Sequence, residues 1–279
     1  MDTHTEAYEG LPFTKMSASG NDFILINNFT QVVSAEEGPW LAKKLCRRAL
    51  SVGADGLILI EPPHGNAAFS WRFYNADGSE AEMCGNGGRC AARFAVEEGL
   101  ATSPLVFETL AGPIWAEVRG KRVRIKLSPP QDLRLDIPLQ LPDKEIKVSF
   151  VNTGVPHVVY FVENLPHVPV KEWGRLIRFH DAFAPRGTNV NFVEVTGPRE
   201  IRVRTYERGV EDETLACGTG ATAAALIAAE KGLVETPVRV ITSGGEALEI
   251  SFGESPEEVF LEGEARFVYR ARLSREALE

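Results

Sequence analysis

Short apolar runs separated by turn residues dominate this chain, and they predict many strands and few helices. In the first half, runs of this kind predict strands at 13–16, 23–27, 57–60, 69–74, 105–108, 114–118 and 123–127. In the second half they predict strands at 148–152, 158–162, 190–195, 201–206, 238–242, 248–252, 259–261 and 265–269. Helical spacing of apolar residues predicts helices over 40–50, with Leu41, Leu45 and Ala49 on one face, and over 173–179.

Two Ala-rich segments are near-copies of each other. CGNGGRCAARFAVEEGL begins at Cys84, CGTGATAAALIAAEKGL begins at Cys217, and nine of their seventeen positions agree at an offset of 133. Each begins with a thiol in a Gly-rich turn, continues with good helix formers and ends at a glycine typical of a helix C-cap. Each half of the chain is therefore predicted to place a cysteine at the N-terminus of a buried helix.

The order of predicted elements is the same on both sides of these repeats. At an offset of 134, Gly20 matches Gly154 and Gly53 matches Gly187, and Asn75 matches Arg208 at 133. A repeat of this length is the size of a domain. The predicted fold class is therefore α+β, with two pseudo-symmetric domains from an internal duplication, each a curved, mostly antiparallel sheet around a central helix.

The predicted domains are an N-terminal domain over 11–137, carrying Cys84, and a C-terminal domain over 138–279, carrying Cys217. The closing strands after about residue 262 are candidates to return to the first domain. Residues 128–130 and 138–142 are the best linker candidates because they are rich in proline. Residues 1–10 lack the basic and apolar regions of a secretory signal and are expected to be a short frayed extension. The acidic run at 254–258 is expected to be a solvated loop.

Composition narrows the function classes. The chain is 44% hydrophobic and 25% charged, its formal net charge is -9, and it has no basic cluster, so nucleic-acid and membrane partners are not expected. No apolar run approaches the roughly 20 residues of a membrane helix. Four cysteines in 279 residues do not form a disulfide scaffold, and we expect reduced thiols in the cytoplasm. No Cys-x-x-Cys pair indicates zinc, and Cys46 and Cys90 are interpreted as core filler.

A cysteine at a helix N-terminus has a specific chemistry. The N–H groups there, and the positive end of the helix dipole, lower the pKa of a thiol and also bind a carboxylate. Two such sites facing each other would make a pocket with a carboxylate cradle and a thiol on either side. A disulfide between Cys84 and Cys217 stays open, as an oxidation product of two close thiols.

Several motifs together identify a family that the chain resembles. They are Gly20-Asn21-Asp22-Phe23, Gly53-Ala54-Asp55-Gly56, Asn75-Ala76-Asp77-Gly78-Ser79-Glu80, Cys84-Gly85-Asn86-Gly87, Gly154 with Pro156-His157, Asn189-Val190-Asn191, and Tyr206-Glu207-Arg208-Gly209 through Cys217-Gly218-Thr219-Gly220. In this combination the chain resembles the diaminopimelate epimerases, which interconvert LL- and meso-2,6-diaminopimelate without a cofactor. The resemblance runs over nearly the whole chain.

The resemblance implies a set of site residues. It implies that Cys84 and Cys217 are catalytic and that His157 and Glu207 support them. It implies substrate binding by Asn21, Asn75, Gly85, Asn86, Asn189, Glu207, Arg208, Gly218 and Thr219. It further implies a homodimer with no cofactor and no metal, acting in the biosynthesis of lysine and peptidoglycan precursors. Two positions depart from the family pattern: Val155 stands where many members have Asn, and Gly56 where some have Gln.

Other functions stay open on the residues alone. Val155 motivates one alternative, a cofactor-independent racemase or epimerase of another amino acid, although Asn75, Asn189 and Arg208 still favour diaminopimelate. A thiol hydrolase or acyl-transfer enzyme could pair one of the two cysteines with His157, although the second thiol would have no role. A non-catalytic binding protein on a decayed epimerase scaffold would retain only the pocket.

Overall fold

The computed structural model describes residues 3–255 and 258–279. The chain divides into two compact units: the first ends at Ile125 and resumes with Glu264–Glu279, and the second is Lys126–Gly263. The described helices are α1 (Thr3–Tyr8), α2 (Gly38–Leu45), α3 (Gly85–Glu97), α4 (Val170–Arg178) and α5 (Gly218–Glu230), with short 3-10 turns at Leu165–His167, Asp181–Phe183 and Arg275–Leu278.

The described strands are numbered along the chain. They are β1 (Pro12–Ala18), β2 (Asn21–Asn27), β3 (Gly56–Glu61), β4 (Phe69–Asn75), β5 (Leu105–Thr109), β6 (Gly112–Arg119), β7 (Arg122–Lys126), β8 (Gln131–Gln140), β9 (Glu145–Asn152), β10 (Pro156–Phe161), β11 (Asn189–Gly197), β12 (Glu200–Glu207), β13 (Asp212–Thr214), β14 (Val238–Ile241), β15 (Ala247–Phe252), β16 (Val259–Glu264) and β17 (Arg266–Arg272).

In the first unit, the strands pair in the order β17-β1-β2-β3-β4-β5-β6-β7. The β2–β3 and β4–β5 pairs are parallel and the others are antiparallel. Helix α3 contacts β1, β2, β3 and β6, so the sheet curves around this helix. The middle strand β3 is buried along its whole length, as expected for a strand covered on both faces.

The second unit has the same topology. Its strands pair in the order β8-β9-β10-β11-β12-β14-β15-β16, with the short β13 also bonded to β12. Here the β10–β11 and β12–β14 pairs are parallel, which match β2–β3 and β4–β5 of the first unit. Helix α5 contacts β9, β10, β11 and β15, as α3 does with its own sheet. The predicted fold class, a duplicated α+β architecture with a helix inside each sheet, is confirmed.

A close contact between a helix glycine and a buried tyrosine occurs in both units. Gly38 of α2 lies directly against the ring of Tyr74, and Gly174 of α4 lies against Tyr206. Both tyrosines are at most 2% exposed. Because glycine has no Cβ, each helix approaches its sheet closely enough to cover the tyrosine ring.

The N-terminal segment and the first long helix differ from expectation. Met1 and Asp2 lie outside the described residues, but 3–8 form α1 instead of a frayed extension, and Tyr8 belongs to the core cluster around Leu41 and Leu278. Helix α2 ends at Leu45 instead of residue 50, since Ala49 takes a left-handed conformation with φ 65 and the Gly53 N–H bonds to the Leu45 carbonyl. Of the expected acidic loop, Pro256 and Glu257 lie outside the described residues.

Residues 138–142 were expected to form a linker, and this expectation is wrong for 138–140. These residues belong to β8, where Pro138 pairs with Lys147 of β9. The two prolines indicated a linker, although Leu139, Gln140 and Leu141 alternate between apolar and polar as in a strand. β8 lies at the edge of its sheet, where a residue without an N–H group is tolerated.

The contact at Gly174 gives a stability prediction. A methyl group added there would meet Tyr206 Cβ at 2.5 Å and Cγ at 2.6 Å, so the helix must move away from the strand that carries Tyr206. Overpacking costs about 1–3 kcal/mol, and for contacts this close we expect the upper part of that range, above the roughly 1 kcal/mol that alanine gains over glycine within a helix. We expect Gly174→Ala to lower the free energy of unfolding in urea. The control is Leu176→Ala on the exposed face of the same helix, which should change it by less than about 0.5 kcal/mol.

Candidate active site

Each of the two central helices begins at a cysteine. Cys84 is the N-cap of α3, with φ -143 and ψ 119, and Cys217 is the N-cap of α5, with φ -130 and ψ 109. Both have the extended conformation that an N-cap adopts, and both side chains are partly exposed. The two cysteines therefore occupy equivalent positions in their units, as the sequence repeat predicts.

The first turn of each helix directs N–H groups outward beside the thiol. The first intrahelical bond of α3 joins the Gly88 N–H to the Cys84 carbonyl at 2.8 Å, and that of α5 joins Ala221 to Cys217 at 2.8 Å. The three N–H groups before each of these bonds have no acceptor within their helix. They come from Gly85, Asn86 and Gly87 in α3, and from Gly218, Thr219 and Gly220 in α5. Each turn is thus able to bind a carboxylate next to a sulfur atom.

In the first unit, amide side chains support this turn. Asn86 Nδ2 donates to Asn21 Oδ1 at 2.8 Å, and Asn21 Nδ2 donates to Asp55 Oδ2 at 2.9 Å. Arg89, which is fully buried, donates to Asn86 Oδ1 at 2.9 Å and to Ser19 Oγ at 2.8 Å. Both amide groups are therefore held in one orientation, with the Asn86 side chain fixed beside Cys84.

Ion pairs extend this network behind Asp55. Arg48 donates to Asp55 Oδ1 at 2.7 Å and to Asp22 Oδ1 at 2.6 Å, and Lys15 lies 2.8 Å from Asp22 Oδ2. Burial opposes the charge on Asp22, but hydrogen bonds from Arg48 and Lys15 hold the pKa of this carboxyl below its usual range. Arg48 therefore fixes the Asp55 carboxylate, and this carboxylate orients the Asn21 amide by accepting its hydrogen bond.

In the second unit, a histidine lies behind the turn. His157 Nε2 is 2.9 Å from Thr219 Oγ1, and Thr219 Oγ1 is 3.4 Å from Cys217 Sγ. Thr153 also fixes Thr219, through a hydrogen bond to its carbonyl at 2.9 Å. His157 is buried in β10, and it reaches the sulfur through the Thr219 hydroxyl.

Burial changes the acid–base behaviour of two predicted supporting residues. Burial, together with the nearby positive charge of Arg208, lowers the pKa of His157 from 6.5 to about 3. Its imidazole is therefore neutral at physiological pH. Burial raises the pKa of Glu207 above its usual value.

The remaining predicted binding residues lie at or next to the first or last residue of a β-strand. Asn189 Oδ1 accepts a hydrogen bond from the backbone N–H of Arg208 at 2.8 Å, and Asn189 Nδ2 donates to the Pro156 carbonyl at 3.0 Å. The Arg208 guanidinium bonds to the Arg186 carbonyl at 3.4 Å. Asn75, at the exposed end of β4, donates to Ser79 Oγ at 3.0 Å. The sequence offset of 133 matched Asn75 to Arg208, but the strand pairing shows a different counterpart. Asn75 follows Tyr74 as Glu207 follows Tyr206, so the structural counterpart of Asn75 is Glu207.

Three residues of this site, Asp55, Arg89 and Asn191, have no role in the expectation from the sequence, although Asp55 and Asn191 lie within motifs of the family resemblance. Arg89 was detectable as a charged residue one turn after Cys84, in the first half of a helix predicted to be buried. Asn191 was detectable as a polar residue between the apolar residues Val190 and Phe192 of β11. Within residues 3–255 and 258–279, no three His, Cys, Asp or Glu side chains are grouped to hold a metal. In the same part of the chain, no helix is both long and apolar enough to cross a membrane.

The glycine at the third position of each helix, Gly87 in α3 and Gly220 in α5, allows a matched test of packing. A methyl group at Gly220 would collide with Asn191 Oδ1, whereas one at Gly87 would meet the flexible end of Ile58 at 3.2 Å. We expect Gly220→Ala to lower the free energy of unfolding by about 1–3 kcal/mol, and Gly87→Ala to change it by less than about 1 kcal/mol. Urea denaturation measures both. Equal effects of the two substitutions would contradict the close approach of α5 to Asn191.

The shifted pKa of His157 predicts a pH dependence of stability. The unfolded chain binds a proton at this side chain below about pH 6.5, and the folded chain does so only below about pH 3. The stability contributed by neutral His157 is complete above pH 6.5 and is lost as the pH falls towards 3, by up to about 1.4 kcal/mol per pH unit.

The matched experiment uses His157→Gln, which cannot bind this proton. Between about pH 6 and pH 4.5, the free energy of unfolding of the wild-type chain should fall more steeply than that of the variant, by about 1 kcal/mol per pH unit. Parallel slopes for the two chains would show that His157 titrates normally.

The chain is similar in sequence to proteins described as diaminopimelate epimerases. The family model described as diaminopimelate epimerase matches residues 13–131 and 149–268. The chain is 49% identical over 282 residues to a diaminopimelate epimerase from Aquifex aeolicus, covering 96% of this chain and 100% of that protein. It is 48% identical to a diaminopimelate epimerase from a Hydrogenobaculum species, covering 94% of this chain and 98% of that protein.

The fold is also found among solved structures of more distant proteins. A phenazine biosynthesis protein of the PhzF family from Bacillus anthracis superposes with a TM-score of 0.70 at 16% identity, covering 94% of this chain and 98% of that one. This likeness shows a shared fold. The match of the family model to both halves, and the high identity over nearly the full length of the relatives, show that this chain belongs to the diaminopimelate epimerase family.

Proposed function

We propose that this protein interconverts LL- and meso-2,6-diaminopimelate, with Cys84 and Cys217 as the two acid–base groups at the α-carbon. The observation that carries the proposal is the pair of equivalent cysteine N-caps, each beside a turn of outward-directed N–H groups. Family membership supports the reaction and the substrate. In this role the protein acts in the biosynthesis of lysine and of peptidoglycan precursors.

Inversion at a carbon atom explains the need for two thiols. One thiolate removes the α-proton from one face of the carbon and becomes a thiol. The other thiol gives its proton to the opposite face and becomes a thiolate, so the stereocentre is inverted and the protons balance. In the reverse direction the two cysteines exchange roles. A single base cannot easily reach both faces of a bound substrate.

The carbanion that forms between these two steps needs stabilisation. The α-proton of an amino acid is much less acidic than a thiol, and negative charge develops on the neighbouring carboxylate as the proton leaves. We propose that the N–H groups of Gly85, Asn86, Gly218 and Thr219 bind this carboxylate and stabilise the charge, so that no pyridoxal phosphate is required. Fixed donors serve this purpose well because they need no rearrangement during the reaction. In the first turn of α3, Asn21 and Arg89 hold Asn86 in place.

The far end of the substrate carries a second amino acid group. Arg208 is suited to bind its carboxylate with two parallel hydrogen bonds, and Asn189 fixes the backbone of Arg208. Asn75 and Glu207 are proposed to bind the remaining polar groups.

The position of Asn21 in the predicted site differs between the two units. Val155, two residues before His157 of β10, corresponds to Asn21, two residues before Phe23 of β2. Its apolar side chain motivates the second candidate function, racemisation or epimerisation of another amino acid.

A Cys–His hydrolase is a poorer interpretation of this site. A general base for acyl transfer needs a pKa near the working pH. The pKa of His157 is lowered to about 3, and its ring reaches Cys217 through the Thr219 hydroxyl. His157 is therefore unsuited to take the thiol proton.

Cysteine variants test the proposal directly. Loss of a positioned acid–base group typically costs about 10²–10⁴-fold in rate, so Cys84→Ala and Cys217→Ala should each lower the epimerisation of LL-diaminopimelate by at least about 100-fold. The matched control is Cys46→Ala. Burial raises the pKa of this thiol to about 12, and the variant should keep wild-type turnover. Wild-type activity in either of the first two variants would refute the two-thiol mechanism.

We also propose a cytoplasmic homodimer, in line with the expectation from the sequence. Sedimentation equilibrium of the purified chain tests this assembly, and a single monomeric species would contradict it.

A further inference from the structure

Three polar side chains lie in a row beneath the first turn of α5. His157 of β10, Asn191 of β11 and Thr205 of β12 are each at most 4% exposed and are joined by hydrogen bonds. The strand registers align these three positions with Phe23, Ile58 and Phe73 of the first unit, which are all apolar. The first unit thus has the same fold with apolar side chains in this row. Burying polar groups is costly, so their presence beside Cys217 points to a chemical role.

The contacts of Asn191 determine the orientation of its amide. Asn191 Nδ2 is 2.9 Å from the Val158 carbonyl oxygen, which can only accept. On the other side, Asn191 Oδ1 accepts from the Thr205 hydroxyl at 2.9 Å. A flipped amide would set two acceptors against each other at Val158. The nitrogen of Asn191 therefore faces His157.

This orientation determines which ring nitrogen of His157 carries the proton. Asn191 Nδ2 is 3.1 Å from His157 Nδ1, and because the amide nitrogen donates, Nδ1 must accept. A neutral imidazole then has its proton on Nε2. His157 is neutral, since burial lowers its pKa to about 3. The Nε2–H group donates to Thr219 Oγ1, which lies at 2.9 Å.

A hydroxyl that accepts in this way has its own proton available for another partner. The Cys217 sulfur lies 3.4 Å from Thr219 Oγ1 and is in position to receive it. We infer that Asn191 is a positioning residue: it fixes the Nε2–H tautomer of His157, so that the Thr219 hydroxyl donates to the Cys217 thiolate. The hydrogen bonds thus form a chain in which Asn191 donates to His157, His157 donates to Thr219, and Thr219 donates to the Cys217 sulfur.

This inference deepens the proposed function and rests on it, since it supposes that the thiolate of Cys217 takes part in the reaction. In this inference, different side chains surround the two cysteines: Thr219 and His157 lie beside Cys217, whereas Asn86 lies beside Cys84. Asn86, the counterpart of Thr219, has its amide held by Asn21 and Arg89. Glu207 and Arg208, the charged residues of the predicted site in the second unit, stay unchanged in the variants below.

The first experiment observes the tautomer and needs no substrate. The wild-type chain is labelled with ¹⁵N at histidine, and long-range ¹H–¹⁵N correlation spectra are recorded at neutral pH. The signals of His157 are assigned with His157→Gln. We expect a neutral ring protonated at Nε2, and Asn191→Asp, whose carboxylate accepts from the ring, should move the proton to Nδ1. A wild-type ring protonated at Nδ1, or charged, would overturn the inference.

The second experiment measures the effect on the sulfur. Iodoacetamide reacts with the thiolate, so its rate at each cysteine of the full chain, followed by peptide mass spectrometry at pH 7, reports the thiolate fraction. We expect Thr219→Val to slow alkylation of Cys217 about tenfold, equivalent to about 1.4 kcal/mol and typical of a hydrogen bond to a charged group. Thr219→Ser keeps the hydroxyl and should restore the rate. Alkylation of Cys84 in the same samples is the internal control.

The outcomes separate this inference from the proposed function. Equal alkylation rates at Cys217 in the wild-type chain and Thr219→Val would overturn the inference, and the reaction of diaminopimelate with the two cysteines would stand. Conversely, full epimerase activity in Cys217→Ala would refute the proposed function, while the tautomer of His157 would still be measurable. A slower Cys217 in both Thr219→Val and Asn191→Asp, with Cys84 unchanged, would support the inference.

Discussion

The structure depends on one constraint, the unsatisfied N–H groups in the first turn of a helix. A buried helix must place these donors somewhere, and in α3 and α5 they are directed outward beside a cysteine sulfur. Glycines at the first and third helical positions keep this turn open. In α5, Gly220 also allows the turn to pack directly on Asn191. The curved sheet of each unit holds its helix by contacts along several strands, so the donors are fixed before any ligand arrives.

Duplication provided this arrangement twice, and the two copies then acquired different supports. The strand order and the parallel pairs are the same in both units, and each unit packs a helix glycine against a buried tyrosine. Beneath the helices the copies differ: the first unit has an amide pair fixed by Asp55 and Arg89, and the second has the row from Thr205 to His157. The side chains that hold the backbone frame agree between the units, whereas those near the sulfur atoms have diverged. This pattern is expected if each thiol has its own task in one reaction.

Much of the fold could be predicted from the sequence because the repeat and the apolar periodicity are strong. The two central helices begin at the predicted cysteines, and most predicted strands occur within a few residues of their expected positions. The errors have physical causes. Pro138 suggested a linker although the edge of a sheet tolerates proline, and α1 is too short and polar to be recognised before Tyr8 is seen in the core. The roles of Asn191 and Arg89 depend on contacts between residues distant in sequence, which no local pattern encodes.

The account depends most on the claim that two thiols serve opposite faces of one carbon. The direct test is the epimerisation of LL-diaminopimelate in D₂O, stopped at low conversion, with deuterium measured separately in the product and in the remaining substrate. The account predicts one deuteron at the inverted carbon of the product and unlabelled remaining substrate, because the delivered hydrogen comes from a second thiol already equilibrated with solvent. Product that retains the hydrogen of the substrate would show that a single base removes and returns it, and would contradict the account.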